Sequence, residues 1–200
     1  MSVFSYVVEH DLGFAPNPFH GACTLACCKP DIRRFARLGD YILGTGACRS
    51  GLRGHLIYWM RVGEILTFDE YWADHRFRRK KPVMSGSTYL RYGDNIYHRD
   101  DDGDFRQEDS FHSRADGSPS PGDIKRDTGK TDRVLVGKEF AYWGRSAIQL
   151  LEGLKCFIKK GPGHKRYFIK QQEDLWLAWL EAHPERGFIA EPAHWQFIEH

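Results

Sequence analysis

The chain has 200 residues, a formal net charge of +2 and a mean hydropathy of −0.56. That length suits one domain, or a core with one long insertion, and the near-neutral charge does not call for a general polyanion binder. No apolar run approaches the roughly 20 residues that span a bilayer, so no membrane association is expected.

The first ten residues have neither the basic start nor the small-residue cleavage site of a secretory leader. The 5 cysteines are odd in number, and three fall within residues 23–28. They make poor material for a disulfide framework and point to a reducing, cytoplasmic setting.

In chain order, residues 3–8 are β-branched and aromatic and predict a strand. Residues 10–20 carry two prolines, a glycine and an asparagine and predict an aromatic loop. Pro30 and Gly39 bracket a short helix over residues 30–37. Strands follow at residues 41–43 and 56–66. Thr67 and Glu70 have the spacing of a capping box, which opens a helix bearing Tyr71 and Trp72.

The segment Asp100-Asp-Asp-Gly-Asp104 lies between two strand-like runs and predicts a hairpin with an Asp-Gly turn. Residues 114–130 read as a long surface excursion, in which lids and binding loops are common. A strand returns at residues 133–137. Ser146 and Gln149 predict a capping box on a helix over 146–158, and residues 171–182 predict a second helix that Pro184 stops. Together these give an α+β fold as a single domain over 1–200. It has a β-rich core over 2–137, an excursion at about 100–131, and C-terminal helices over 145–183.

Several constellations bear chemistry. His20, Cys23, Cys27 and Cys28 are soft ligands at short spacing, but the second ligand pair of a structural zinc site is missing, so no metal and no cofactor is expected. The run from His98 to Asp109 has the register of a calcium loop with a histidine first, and it reads better as a solvated turn. Asp109-Ser-Phe-His112 sets a carboxylate, Ser110 and an imidazole together. On a strand Ser110 and His112 would share a face and Asp109 would not.

Aromatic rings are the stronger signal, because rings stack on bases. Trp59, Tyr142 and Trp143 are the candidate stackers, with Asn17, Thr45, Arg91, Asn95 and Ser110 as candidate polar readers of a base. Lys159, Lys160, Lys165 and Arg166 surround a Gly-Pro-Gly turn and are candidate phosphate contacts. An enzymatic alternative makes His20, His112 or His10 the acid–base group, oriented by Asp109 or Asp11.

Arg37-Leu-Gly-Asp-Tyr-Ile-Leu-Gly-Thr-Gly46, followed by Leu56-Ile-Tyr-Trp-Met-Arg-Val62, resembles the entry to a PUA-like β-barrel of the EVE, ASCH and YTH kind. That resemblance implies a mixed barrel that reads nucleobases. Five longer motifs resemble the bacterial and phage family called nucleotide modification associated domain 2. They are Glu9-His-Asp-Leu-Gly-Phe-Ala-Pro-Asn-Pro-Phe-His-Gly21, Leu38-Gly-Asp-Tyr-Ile-Leu-Gly-Thr-Gly46, Leu66-Thr-Phe-Asp-Glu-Tyr-Trp72, Arg91-Tyr-Gly-Asp-Asn-Ile-Tyr-His98 and Phe140-Ala-Tyr-Trp-Gly144.

The likeness runs from about residue 2 to about residue 179. It implies a place in DNA modification or phage–bacteria conflict, with a nucleotide or nucleic-acid base as partner, DNA rather than RNA. Proteins of a modification or defence system are further partners. The reading from sequence is therefore binding of a modified base in an aromatic pocket, with an enzyme acting on a nucleotide or modified base as the alternative.

Overall fold

The computed structural model describes residues 1–197. They form two compact units: one from residues 1–12, 36–63 and 137–197, the other from 13–35 and 64–136.

The first unit is built on a seven-stranded sheet. Val3–Val8 and Tyr41–Gly46 pair in parallel, and His55–Arg61 runs antiparallel to the latter. Phe140–Tyr142 and then Gly187–Phe188 extend this side, His164–Lys165 closes the other edge, and Ile148–Gln149 pairs with His55–Arg61. The two end strands, His164–Lys165 and Gly187–Phe188, are not paired to each other, so the expected barrel is corrected to an open sheet. Gly44 explains one close approach: a Cβ there would lie 2.3 Å from the Tyr58 ring, so only glycine lets that ring pack on the neighbouring strand.

The helix Lys170–Ala182 covers this sheet with Trp176, Trp179 and Leu180. It was expected from its apolar stripe and stopping proline. The helix expected over 146–158 is corrected. Residues 144–146 form a 3-10 turn, Ile148–Gln149 is a strand, and Glu152–Phe157 is again 3-10. The Leu150 amide donates to the Gly54 carbonyl at 3.0 Å, so sheet pairing satisfies backbone groups that the local helix would have used. Leu151 is left 69% exposed, which breaks the expected apolar face.

The second unit holds a three-stranded sheet of Cys23–Leu25, Val134–Gly137 and Glu64–Leu66, and the hairpin Tyr97–Arg99 with Phe105–Gln107. That hairpin has the expected Asp-Gly turn, in which Asp100 Oδ1 accepts the Asp102 and Asp104 amides. The capping box is also present. Thr67 Oγ1 accepts the Glu70 amide at 3.1 Å, and Glu70 Oε2 accepts the Thr67 amide at 2.7 Å. The single strand expected over 56–66 is interrupted after Arg61 and resumes at Glu64. The excursion over 114–130 is corrected too, because Pro121–Thr128 is a helix with proline in its first turn.

Candidate active site

Cys28 follows the strand Cys23–Leu25 and precedes the short helix Pro30–Phe35. The chain passes there through two non-glycine residues in the left-handed region, Cys28 at φ 58° and Lys29 at φ 42°. Such conformations cost about 1–3 kcal/mol each and persist only where the surroundings hold them. Here Asp127 does part of that holding: its Oδ1 accepts the Cys28 amide at 2.9 Å.

The imidazole of His112 joins the same group. Its Nε2 is 3.8 Å from Cys28 Sγ, and its Nδ1 is 2.9 Å from Asp127 Oδ2. Sulfur, imidazole and carboxylate thus form one hydrogen-bonded chain. Asp127 is fully buried, and the His112 side chain is 10% exposed. The Tyr97 hydroxyl donates to Asp127 Oδ2 at 3.0 Å, and Arg33 donates to the Asp127 carbonyl. The buried carboxylate itself is satisfied by the Cys28 amide, Tyr97, His112 and Arg126, and without such donors it would carry a large desolvation cost.

Burial alone would raise the Asp127 carboxyl, yet hydrogen bonds from His112 and Arg126 hold it at about 2. Burial alone would likewise lower His112, yet the bonds to Asp127 and Cys28 push it up to about 9. Arg126 Nη2 lies 3.1 Å and 3.3 Å from the two ring nitrogens and works against an imidazolium. The carboxylate wins, because it lies nearer to Nδ1, at 2.9 Å, and the guanidinium is itself shared with Asp123 and Asp127. His112 is therefore positively charged at neutral pH, and Asp127 fixes its orientation.

Aromatic rings flank the histidine. Phe14 meets it edge-on at 4.4 Å, and Phe111 lies 5.6 Å from Phe14 and 5.3 Å from Tyr92. Phe111 is 45% exposed, so it offers a ring face beside the sulfur–imidazole pair.

Cys27, His112 and Asp127 also bring one ligand atom each within 4.8 Å of one another, a set that a borderline divalent ion can use. The Arg126 cation already sits on the carboxylate, and its charge opposes a second cation at that place. The zinc set considered from sequence, His20 with Cys23, Cys27 and Cys28, does not come together as a group of metal ligands among the described residues.

Among the residues proposed from sequence, His112 lies at the centre of this group. Asp109 is exposed, and Asp127 holds the imidazole in its place. Ser110 and His112 lie in a turn rather than on a strand, where the Ser110 hydroxyl accepts the His112 amide at 3.4 Å. His20 sits beside Arg79 and Lys80, and burial followed by those charges lowers it to about 4, leaving it neutral.

Asn17 and Asn95 are wholly buried. Asn17 is bonded to Lys80 and the Tyr92 carbonyl, and Asn95 donates to the Tyr71 carbonyl. Arg91 is exposed at the end of the helix Thr88–Arg91.

The remaining residues proposed from sequence belong to the first unit. Trp59 and Trp143 are core residues, packed on Trp176 and Trp179 respectively. Tyr142 is buried and donates its hydroxyl to Asp11, and the Thr45 hydroxyl donates to the Tyr6 carbonyl at 3.2 Å. Asp11 also accepts the Ala193 amide, and burial lifts its carboxyl to about 6. Its amide donates to His194, and His10 lies 5.7 Å from that ring. Lys159, Lys160, Lys165 and Arg166 lie on the segment between the 3-10 turn and the last long helix.

From sequence Cys28 enters only as a weighed zinc ligand, and Asp127 is not singled out. The signal at Cys28 was its place just before Lys-Pro at a helix start. Asp127 carried no signal, being one charge in Asp-Ile-Lys-Arg-Asp.

No helix among the described residues is long and apolar enough to cross a membrane. No curated protein and no solved structure matches the chain at a significant level. The family described as nucleotide modification associated domain 2 matches residues 1–199, which takes in the tail beyond 181 that the resemblance from sequence did not reach. The chain belongs to the nucleotide modification associated domain 2 family.

Proposed function

We propose that this protein is an enzyme of base-modification systems, in which Cys28 is the nucleophile toward an acyl or amide carbon carried by a modified nucleobase or nucleotide. The observation that carries this reading is the chain from Cys28 Sγ through His112 to Asp127. A thiolate attacks, an imidazolium holds and returns the proton, and a carboxylate fixes the ring: these are the parts of cysteine-based acyl transfer.

The Cys28 sulfur forms a bond to the carbonyl carbon, and the His112 proton passes to the departing amine or alkoxide. Water or a second amine then attacks the thioester with His112 taking its proton, and the sulfur leaves as thiolate. Phe111, with Tyr92 beside it, supplies an exposed ring for a planar base, and family membership supports a nucleotide-borne substrate.

The test is incubation with a panel of acylated and ordinary nucleotides and short DNAs, followed by mass spectrometry of both substrate and protein. The expected result is an altered substrate and an acyl mass on the Cys28 peptide. Turnover that survives in Cys28→Ser would overturn the reading. Base binding with no chemistry in wild type and no change in that variant would leave a binding module built on the same rings.

A further inference from the structure

Residues 153–172 contain six Lys and Arg side chains and no Asp or Glu. The whole chain carries only +2, so with those six set aside the remainder is −4. This segment is thus one of two basic stretches, the other being residues 76–81, in a chain whose remainder is acidic. The segment includes His164–Lys165, the end strand of the seven-stranded sheet, which Gly161 and Gly163 in the left-handed region lead into.

Carboxylates among the described residues pair with part of this charge. Lys155 pairs with Glu152 and Lys170 with Asp174, but Lys159, Lys160 and Lys165 form no ion pair among the described residues. Lys159 and Lys165 donate to backbone carbonyls instead. Beside them stands Tyr167, 76% exposed, with the Arg166 guanidinium 4.9 Å from its ring centre.

We infer that residues 159–167 form a contact for a single nucleic-acid strand, with Lys159, Lys160 and Arg166 on phosphates and the Tyr167 ring on a base. Cations alone would suit any polyanion. An exposed ring set among them adds a face on which a base stacks irrespective of sequence, and this combination is the common design of single-strand grooves. The inference stands apart from the chemistry at Cys28 and concerns polymer binding only.

The test is fluorescence anisotropy of the full chain with a labelled thymidine homopolymer, its duplex with the complementary strand, and polyglutamate as an acidic competitor. Single-strand affinity is expected to fall with salt at a log–log slope of about −2, from three phosphate contacts at ~0.7 each. The triple charge reversal Lys159→Glu, Lys160→Glu, Arg166→Glu is expected to remove binding without changing the melting temperature. Tyr167→Ala is expected to weaken single-strand binding by about 5- to 150-fold and to spare the duplex.

Cys28→Ser is expected to bind the strand as wild type does, which separates this result from the fate of the proposed enzyme. Absence of salt-dependent binding, indifference to Tyr167→Ala, or polyglutamate competing as well as unlabelled strand would each overturn the inference.

Discussion

The two units of this chain differ in how they weight buried rings against buried charge. The first seals large rings: Trp59, Trp143, Trp176 and Trp179 share one core cluster. The indole nitrogens of Trp59 and Trp176 have no hydrogen-bond partner among the described residues. The second buries more charge beside its own rings. Lys80 is fully enclosed and donates to Asn17 and Thr24, while Asp94 accepts from Thr24 and Tyr71. Arg33 and Asp127 are enclosed as well.

Rings in a core need only volume and contact, whereas buried charges need named partners at fixed places. The lesson is that the rings which first draw the eye in the sequence serve packing. The candidate site gathers where the fold desolvates charged groups.

That contrast can be broken from either side. Trp59→Ala is expected to destabilise the protein by about 3–5 kcal/mol through a cavity, measured by urea unfolding. Lys80→Met is expected to cost a similar 3–5 kcal/mol, because it leaves Asp94 buried without its cation. The two should part in the second step. Adding Asp94→Asn should return part of the loss in Lys80→Met and none in Trp59→Ala. Equal response in both backgrounds would show that the buried charges act merely as filler.

A smaller effect separates the histidine site from the packing. The folded value of His112 is raised from 6.5 to about 9, so its stabilising contribution is complete below pH 6.5 and is lost as pH rises through 9. Asp127 is depressed from 3.8 to about 2, so its contribution is complete above pH 3.8 and is lost as pH falls through 2. The stability difference between wild type and His112→Gln is therefore expected to be largest between about pH 4 and 6.5 and to shrink toward pH 9. A difference that is flat with pH would mean the imidazole is held neutral.

The smallest effect concerns the substrate. Phe111→Ala is expected to raise KM for a base-bearing substrate by about 5- to 150-fold with little change in kcat, since stacking contributes about 1–3 kcal/mol. A fall in kcat at constant KM would instead make the ring part of the chemistry.

Local rules made much of the fold legible. The capping box at Thr67, the Asp-Gly hairpin and the helix before Pro184 follow from neighbours in sequence, and each is present. The 146–158 segment did not follow its local pattern, because pairing with the strand His55–Arg61 outcompetes an isolated helix. The PUA-like likeness implied closure of the sheet, and closure depends on how distant edges meet, which no local pattern encodes.

Half of the candidate site was legible for the same reason. His112 stood out by residue type. Its partners lie 84 and 15 residues away, so only the tertiary fold brings them to it.

The most direct test of the central claim is native-state alkylation with iodoacetamide near neutral pH, read by peptide mass spectrometry. Cys48 is exposed and serves as the internal reference. If Cys28 is a nucleophile poised by His112 and Asp127, its peptide should be modified ahead of Cys48, and His112→Gln should slow it while leaving Cys48 unchanged. Cys28 reacting no faster than Cys48, at a rate indifferent to His112→Gln, would contradict the account.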